Sequence, residues 1–165
     1  MALSYAINKK KEKAMNTLKV GDKAFAFDAL DHDGNRRKLS DYSGKKLIVF
    51  FYPAASTPGC TAEACNLSDN YGALQNAGYA ILGVSADTTT KQKNFQEKYS
   101  FPFPLLADTE KAVIQGFGVW GEKKFMGRTY DGIHRVTFLI DEQGVIERVI
   151  DKVKTKDHAA QILSE

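Results

Sequence analysis

Cys60 and Cys65 are the two cysteines of a 165-residue chain, five positions apart in the stretch Phe51-Tyr-Pro-Ala-Ala-Ser-Thr-Pro-Gly-Cys60-Thr-Ala-Glu-Ala-Cys65. A thiol attacks as its thiolate, and the first turn of a helix favours that anion through unpaired backbone N–H groups. The residues ahead of Cys60 predict such a turn. Thr57 suits the N-cap, and Pro58 suits the first helical position, where an N–H would go unbonded anyway. Cys60 then takes the third helical position. A free thiol titrates near 8.5, and a site of this kind can bring it to roughly 3.5–7.5. The chemistry allowed is attack by Cys60 on an electrophile, followed by capture of the oxidised sulfur by Cys65. Without that chemistry, Cys60 would be a small buried apolar residue and Cys65 a packed helix residue.

The spacing sets a geometric condition. Five residues advance an ideal helix by about 7.5 Å and about 140°, so the two α-carbons stand roughly 8.7 Å apart. A disulfide needs about 4.4–6.8 Å. The pair therefore cannot bond while the helix is intact, and oxidation must unwind the helix start. A C-x-x-C pair, which can bond within an unbroken first turn, is absent.

Strands on either side must hold this turn in place. Lys46-Leu-Ile-Val-Phe-Phe-Tyr52 and Tyr79-Ala-Ile-Leu-Gly-Val-Ser85 are continuous apolar runs, the pattern of strands buried on both faces. The stretch from about Pro58 to Asn76, closed by Gly78, is predicted as the helix between them, completing a βαβ unit. Phe25–Leu30 and Arg36–Leu39 around Asp31-His-Asp-Gly-Asn35 read as an N-terminal hairpin. Further helices are expected at 88–99, 108–117 and 156–163. A last hairpin, 135–140 with 145–150, flanks Asp141-Glu-Gln-Gly144. The order implies an α/β fold of thioredoxin-like architecture, with a mixed central sheet and helices on both faces.

Composition narrows the classes. Hydrophobic residues at 43% and charged residues at 26% are ordinary for a globular domain. The net charge of +3 is spread along the chain, which argues against a nucleic-acid surface, and no apolar run reaches bilayer length. Residues 1–14, with Lys9-Lys-Lys-Glu-Lys13, are expected to form a disordered basic tail or upstream extension, and 15–165 a single domain. That tail lacks a signal-peptide core, so a cytoplasmic location is expected. Two cysteines in such a chain point to reactivity rather than a disulfide scaffold. His32, His134 and His158 are not paired at short range with other ligands, so no metal site is expected.

The segment Pro53, Thr57, Cys60 fits the P-x-x-x-T-x-x-C pattern of peroxiredoxins. The continuation Thr61-Ala-Glu-Ala-Cys65 and the run Phe117-Gly-Val-Trp-Gly-Glu-Lys-Lys-Phe-Met-Gly-Arg-Thr-Tyr-Asp-Gly-Ile-His-Arg135 resemble the bacterioferritin comigratory protein, or Q-type, subfamily. The resemblance runs from about Leu18 to the C-terminus. It implies a monomeric thiol peroxidase that needs no cofactor and acts on hydrogen peroxide and organic hydroperoxides. It also implies roles: Cys60 peroxidatic, Cys65 resolving through an intramolecular disulfide, Thr57 orienting the peroxide, Arg135 stabilising the thiolate, and Pro53 shielding the site. Thioredoxin is the implied reductant. Phe25 departs from the pattern, standing where the family usually has proline.

Some residues invite weaker readings. His134 should face away from Arg135 and is not expected to act as a base. Trp120 and Phe125 are expected to pack locally. Glu63 favours the helix N-terminus yet opposes a neighbouring thiolate. The competing functions are a disulfide oxidoreductase, which would want C-x-x-C, and a redox-sensing module that oxidises once without turnover.

Overall fold

The computed structural model describes residues 15–164, so the basic stretch 1–14 lies outside the described residues. An N-terminal hairpin pairs β1 (Asp28–Leu30) with β2 (Arg36–Lys38), and a 3-10 turn at Leu39–Tyr42 leads into β3 (Lys46–Phe51). There follow α1 (Pro58–Asp69), α2 (Tyr71–Asn76), β4 (Tyr79–Ser85), α3 (Thr89–Tyr99), β5 (Leu105–Ala107) and α4 (Ala112–Gly116). The chain ends with β6 (Trp120–Phe125), β7 (Arg128–Ile133), β8 (Val136–Ile140), β9 (Ile146–Ile150) and α5 (His158–Leu163).

The main sheet has the order β5-β4-β3-β8-β9. Strand β3 runs parallel to β4 and antiparallel to β8, which places the most apolar run at the centre. Leu47, Val49 and Phe51 point into one core with Val113, Phe117 and Phe138. Ile48 and Phe50 point into the other, with Leu67, Phe95 and Ile162. This is the period-two alternation of a strand covered on both faces. Each of these side chains is buried, and each contributes about 1.5–3 kcal/mol.

Three local features differ from the sequence expectation. The helix expected over 58–76 breaks at Asn70, whose φ of −107° and ψ of 18° leave the helical region. Its Nδ2 donates to Asn66 O at 2.8 Å, so a side chain competes for the helix carbonyl. The N-terminal strand begins only at Asp28, because Phe27 N donates to Phe25 O at 2.8 Å in a tight turn. Phe25 instead packs edge-on against Phe117 at 6.4 Å, where a Cβ on Gly116 would strike its ring. The third difference is the β6–β7 hairpin, which is not among the elements expected from the sequence.

Candidate active site

The loop between β3 and α1 is tied down from beneath. Asp87 Oδ2 accepts from Ala55 N and from Ser85 Oγ, both at 2.7 Å, which fastens the loop to the end of β4. Tyr52 Oη donates to Gln92 Oε1 at 2.6 Å, and Gln92 Nε2 donates to Leu106 O at 2.7 Å. Pro53 lies half-buried in this loop, and Ser56 takes a φ of 64° to turn the chain toward the helix.

Thr57 is the N-cap residue of α1, as expected, but its hydroxyl does not cap. Thr57 Oγ1 donates back to Ala54 O at 2.8 Å, because the turn folds that carbonyl within reach. The first-turn amides are therefore not taken up by the cap's side chain. Cys60 falls in this turn and is 1% exposed. Its thiol and that of Cys65 are both free.

Arg135, just ahead of β8, reaches across to the helix start. Its Nη2 donates to Cys60 Sγ at 3.4 Å and its Nη1 to Glu63 Oε1 at 2.6 Å. The guanidinium lies over Gly59, where a Cβ would stand 3.3 Å from Nη2. Glycine leaves the space that the arginine fills. Burial depresses the Arg135 pKa, but Glu63 and Cys60 outweigh it and leave the group above its ordinary value. Burial pushes the Glu63 carboxyl up to about 7, against the pull of Arg135. Behind Glu63 stands His158 of α5, with Nε2 3.5 Å from Glu63 Oε2 and both side chains fully buried.

Cys65 is half-buried, five positions along a helix that runs unbroken from Pro58 to Asp69. Burial and the neighbouring Asp69 raise its thiol pKa. The next residue, Asn66, joins α1 to α5: its Nδ2 donates to Lys156 O at 3.0 Å, and its Oδ1 accepts from Ala159 N at 2.8 Å.

Residues 20–149 match the AhpC/TSA family profile. Peroxiredoxin Bcp of Escherichia coli (strain K12) is 50% identical over 150 residues, covering 91% of this chain and 96% of that protein. A putative peroxiredoxin of Haemophilus influenzae is 51% identical over 149 residues, covering 90% and 96%. The chain belongs to the AhpC/TSA family, among the Q-type peroxiredoxins.

The structure of this peroxiredoxin aligns with Xanthomonas campestris peroxiredoxin Q at a TM-score of 0.81 and 35% identity, over 89% of this chain and 93% of that one. It aligns with the Xanthomonas campestris bacterioferritin comigratory protein, studied for alkyl peroxide reduction, at a TM-score of 0.80 and 32% identity over 92% and 96%. The thioredoxin-like architecture read from the sequence is thereby established, as is thiol peroxidase activity as the family's chemistry.

Of the expected site residues, the peroxiredoxin brings Cys60 and Arg135 into contact and sets Thr57 and Pro53 in the adjoining loop. It leaves Cys65 apart on the helix. Reading the sequence missed Glu63 as the arginine's partner. The signal was its i+3 position from Cys60, which places both on one helix face. His158, Gly59, Asp87 and Asn66 carried no local signal, since each acts on a distant segment. Lys123 also reaches this region: its Nζ donates to Ile133 O at 2.8 Å. Partial burial and Arg135 depress its pKa, while Cys60 raises it.

His134 bonds the β6–β7 hairpin through Nε2, 3.0 Å from Glu122 O. Trp120 packs against the core, with Lys111 Nζ 5.0 Å above its ring. Phe125 differs from expectation: it is 65% exposed at the hairpin tip, beside the exposed Met126. Among the described residues, no group of three or more potential ligands gathers to hold a metal ion, and no helix is long and apolar enough to cross a membrane.

Proposed function

We propose that this peroxiredoxin reduces hydrogen peroxide and organic hydroperoxides through a sulfenic acid at Cys60 and an intramolecular Cys60–Cys65 disulfide. The observation that carries the reading is the Arg135 Nη2 contact with Cys60 Sγ at 3.4 Å, made in the first turn of α1. A cation contacts the sulfur in a first helical turn whose amides the cap's side chain does not take up, and both features favour the attacking thiolate.

In the first step the Cys60 thiolate attacks one peroxide oxygen. The S–O bond forms, the O–O bond breaks, and the leaving oxygen takes a proton to depart as water or alcohol. The sulfur supplies both electrons, so the step needs no cofactor. Thr57 commits its hydroxyl hydrogen to Ala54 O, which leaves the oxygen free to accept the peroxide O–H and orient it. Arg135 stabilises charge developing on the leaving oxygen, and Pro53 shields the loop side from water.

In the second step Cys65 attacks the sulfenic acid, releasing water and forming the disulfide. The start of α1 must unwind for this. Unwinding also relieves the burial and the Asp69 proximity that raise the Cys65 thiol pKa. Thioredoxin then returns two electrons and two protons to the pair. We place the enzyme in the cytoplasm as a monomer.

The test is turnover by variant. With thioredoxin and its reductase, the wild type should consume many peroxides per chain, and Cys60→Ser none. Cys65→Ser should react once and stop at a sulfenic acid. Near-normal turnover by Cys60→Ser would refute the assignment, and a single turnover by the wild type would favour a stoichiometric thiol switch.

A further inference from the structure

Glu63 and His158 are both completely buried on the far side of Arg135, and neither has a role in the steps above. The hydrogen bonds around them fix where protons can sit. Gln161 Oε1 accepts from Lys154 N at 2.8 Å, and its Nε2 donates to Lys152 O at 3.0 Å. The amide is thereby oriented with its oxygen 2.9 Å from His158 Nδ1. An amide oxygen only accepts, so Nδ1 carries a hydrogen.

His158 Nε2 faces two oxygens, Thr137 Oγ1 at 2.8 Å and Glu63 Oε2 at 3.5 Å. The threonine hydroxyl can donate to Nε2. Glu63 Oε2 makes no hydrogen bond among the described residues, although it is fully buried. An ionised Glu63 beside a neutral His158 would set two lone pairs against each other, leaving the buried Oε2 without a partner although Oε1 is paired with Arg135. One proton between them removes the conflict, whichever atom carries it.

We propose that Glu63 and His158 hold one proton between them in the reduced protein, and that His158 is thereby a positioning residue that reserves the positive charge of Arg135 for the Cys60 sulfur. The proposal rests on the reading of Cys60 as the attacking thiolate. With the proton present, the pair is neutral and Arg135 balances the thiolate alone. With the proton lost, the guanidinium is shared between two anions, and Glu63 opposes the thiolate from within the same helix.

The other charged groups facing the pair agree with this count. Arg135 just ahead of β8 and Arg148 on β9 both disfavour a second proton on the imidazole. The Arg148 guanidinium is engaged with the carbonyls of Gln161, Ile162 and Ser164 at the end of α5, so it does not serve as Glu63's partner. Cys60 lies on α1 itself, on the opposite side of Arg135. Burial raises the Glu63 pKa and lowers that of His158, and both directions favour the neutral pair.

Glu63→Gln is the informative variant, because an amide can accept from Arg135 and donate to His158 Nε2 without titrating. The first measurement needs no peroxide. Infrared difference spectra between the wild type and Glu63→Gln, with nitrogen-15 spectra of His158, should reveal one titrating proton shared by the pair at pH 6. A carboxylate beside a neutral imidazole at that pH would overturn the proposal.

The second measurement is the rate of the reduced protein with hydrogen peroxide as a function of pH. The ratio of wild-type to Glu63→Gln rate constants should fall about tenfold between pH 6 and pH 8.5, as the wild type alone gains the second anion. A flat ratio with the shared proton present would overturn the positioning role. Peroxide consumption by Cys60→Ser would instead overturn the functional reading, and the positioning role with it, while the proton assignment stood.

Discussion

Replacing Arg135 gives the most direct measure of how the site activates its sulfur. The guanidinium makes two contacts, to Cys60 Sγ at 3.4 Å and to Glu63 Oε1 at 2.6 Å, and Arg135→Ala removes both. The Glu63 carboxyl already titrates at about 7 while Arg135 pulls it down. Without that pull it stays protonated at neutral pH, so the variant does not leave a bare buried carboxylate. The rate loss then reports mainly the lost contact to sulfur. A hydrogen bond to a charged group contributes about 1.5–3 kcal/mol, which converts to a roughly 10- to 150-fold loss in the second-order rate with peroxide. Arg135→Lys should recover only part of it, since an ammonium cannot span the sulfur and the carboxylate as the planar fork does. Stopped-flow mixing of pre-reduced protein with hydrogen peroxide at pH 7 measures this step without thioredoxin. Rates within twofold of wild type for both folded variants would refute the argument.

Gly59→Ala should keep the fold but slow the peroxide reaction by about three- to tenfold, because a Cβ 3.3 Å from Arg135 Nη2 displaces the guanidinium; an unchanged rate would contradict the packing. Oxidation should strip hydrogen-exchange protection from the amides of residues 61–65, while that of Asn70, bonded to Asn66 O, stays protected, and equal protection in both redox states would remove the unwinding step. Stability should depend on pH through Glu63, whose pKa is raised from 4.5 to about 7. Its contribution is complete below about pH 4.5 and is lost as pH rises through 7, a change of about 3 kcal/mol. Urea unfolding of the wild type relative to Glu63→Gln should show that loss between pH 4.5 and 8. His158, whose pKa burial lowers, acts in the opposite sense and is common to both proteins.

Where local chemistry decides the structure, the sequence was readable. The apolar runs at 46–51 and 79–85 became the central parallel strands, and Thr57-Pro58 marked the first turn of α1. The β6–β7 hairpin was hidden for a specific reason. Its turn, Met126-Gly127, takes φ values of 50° and 75°, the double positive φ of a tight hairpin turn, but places methionine where asparagine or aspartate would signal it. Its strands are mostly exposed and carry little alternation. The site divides in the same way. Cys60, Thr57 and Pro53 are neighbours along the chain, whereas the Arg135–Glu63–His158 line joins three elements that meet only through tertiary packing. The break at Asn70 likewise depends on a side chain folding back on its own helix.

The Asn66 bridge to α5 divides α1 into two parts with different fates. Residues from Leu67 onward remain anchored, with Leu67 fully buried, when the segment before them opens. A helix formed from nothing must first nucleate, against a factor of about 10⁻³, whereas extending an existing helix adds one hydrogen bond per residue fixed. If the anchored end persists through the proposed disulfide, its reduction would return Cys60 to its turn by propagation alone. On the proposed mechanism the cycle would never refold this helix from a coil: α5 would hold the end of α1 that serves as the template for a quick reset.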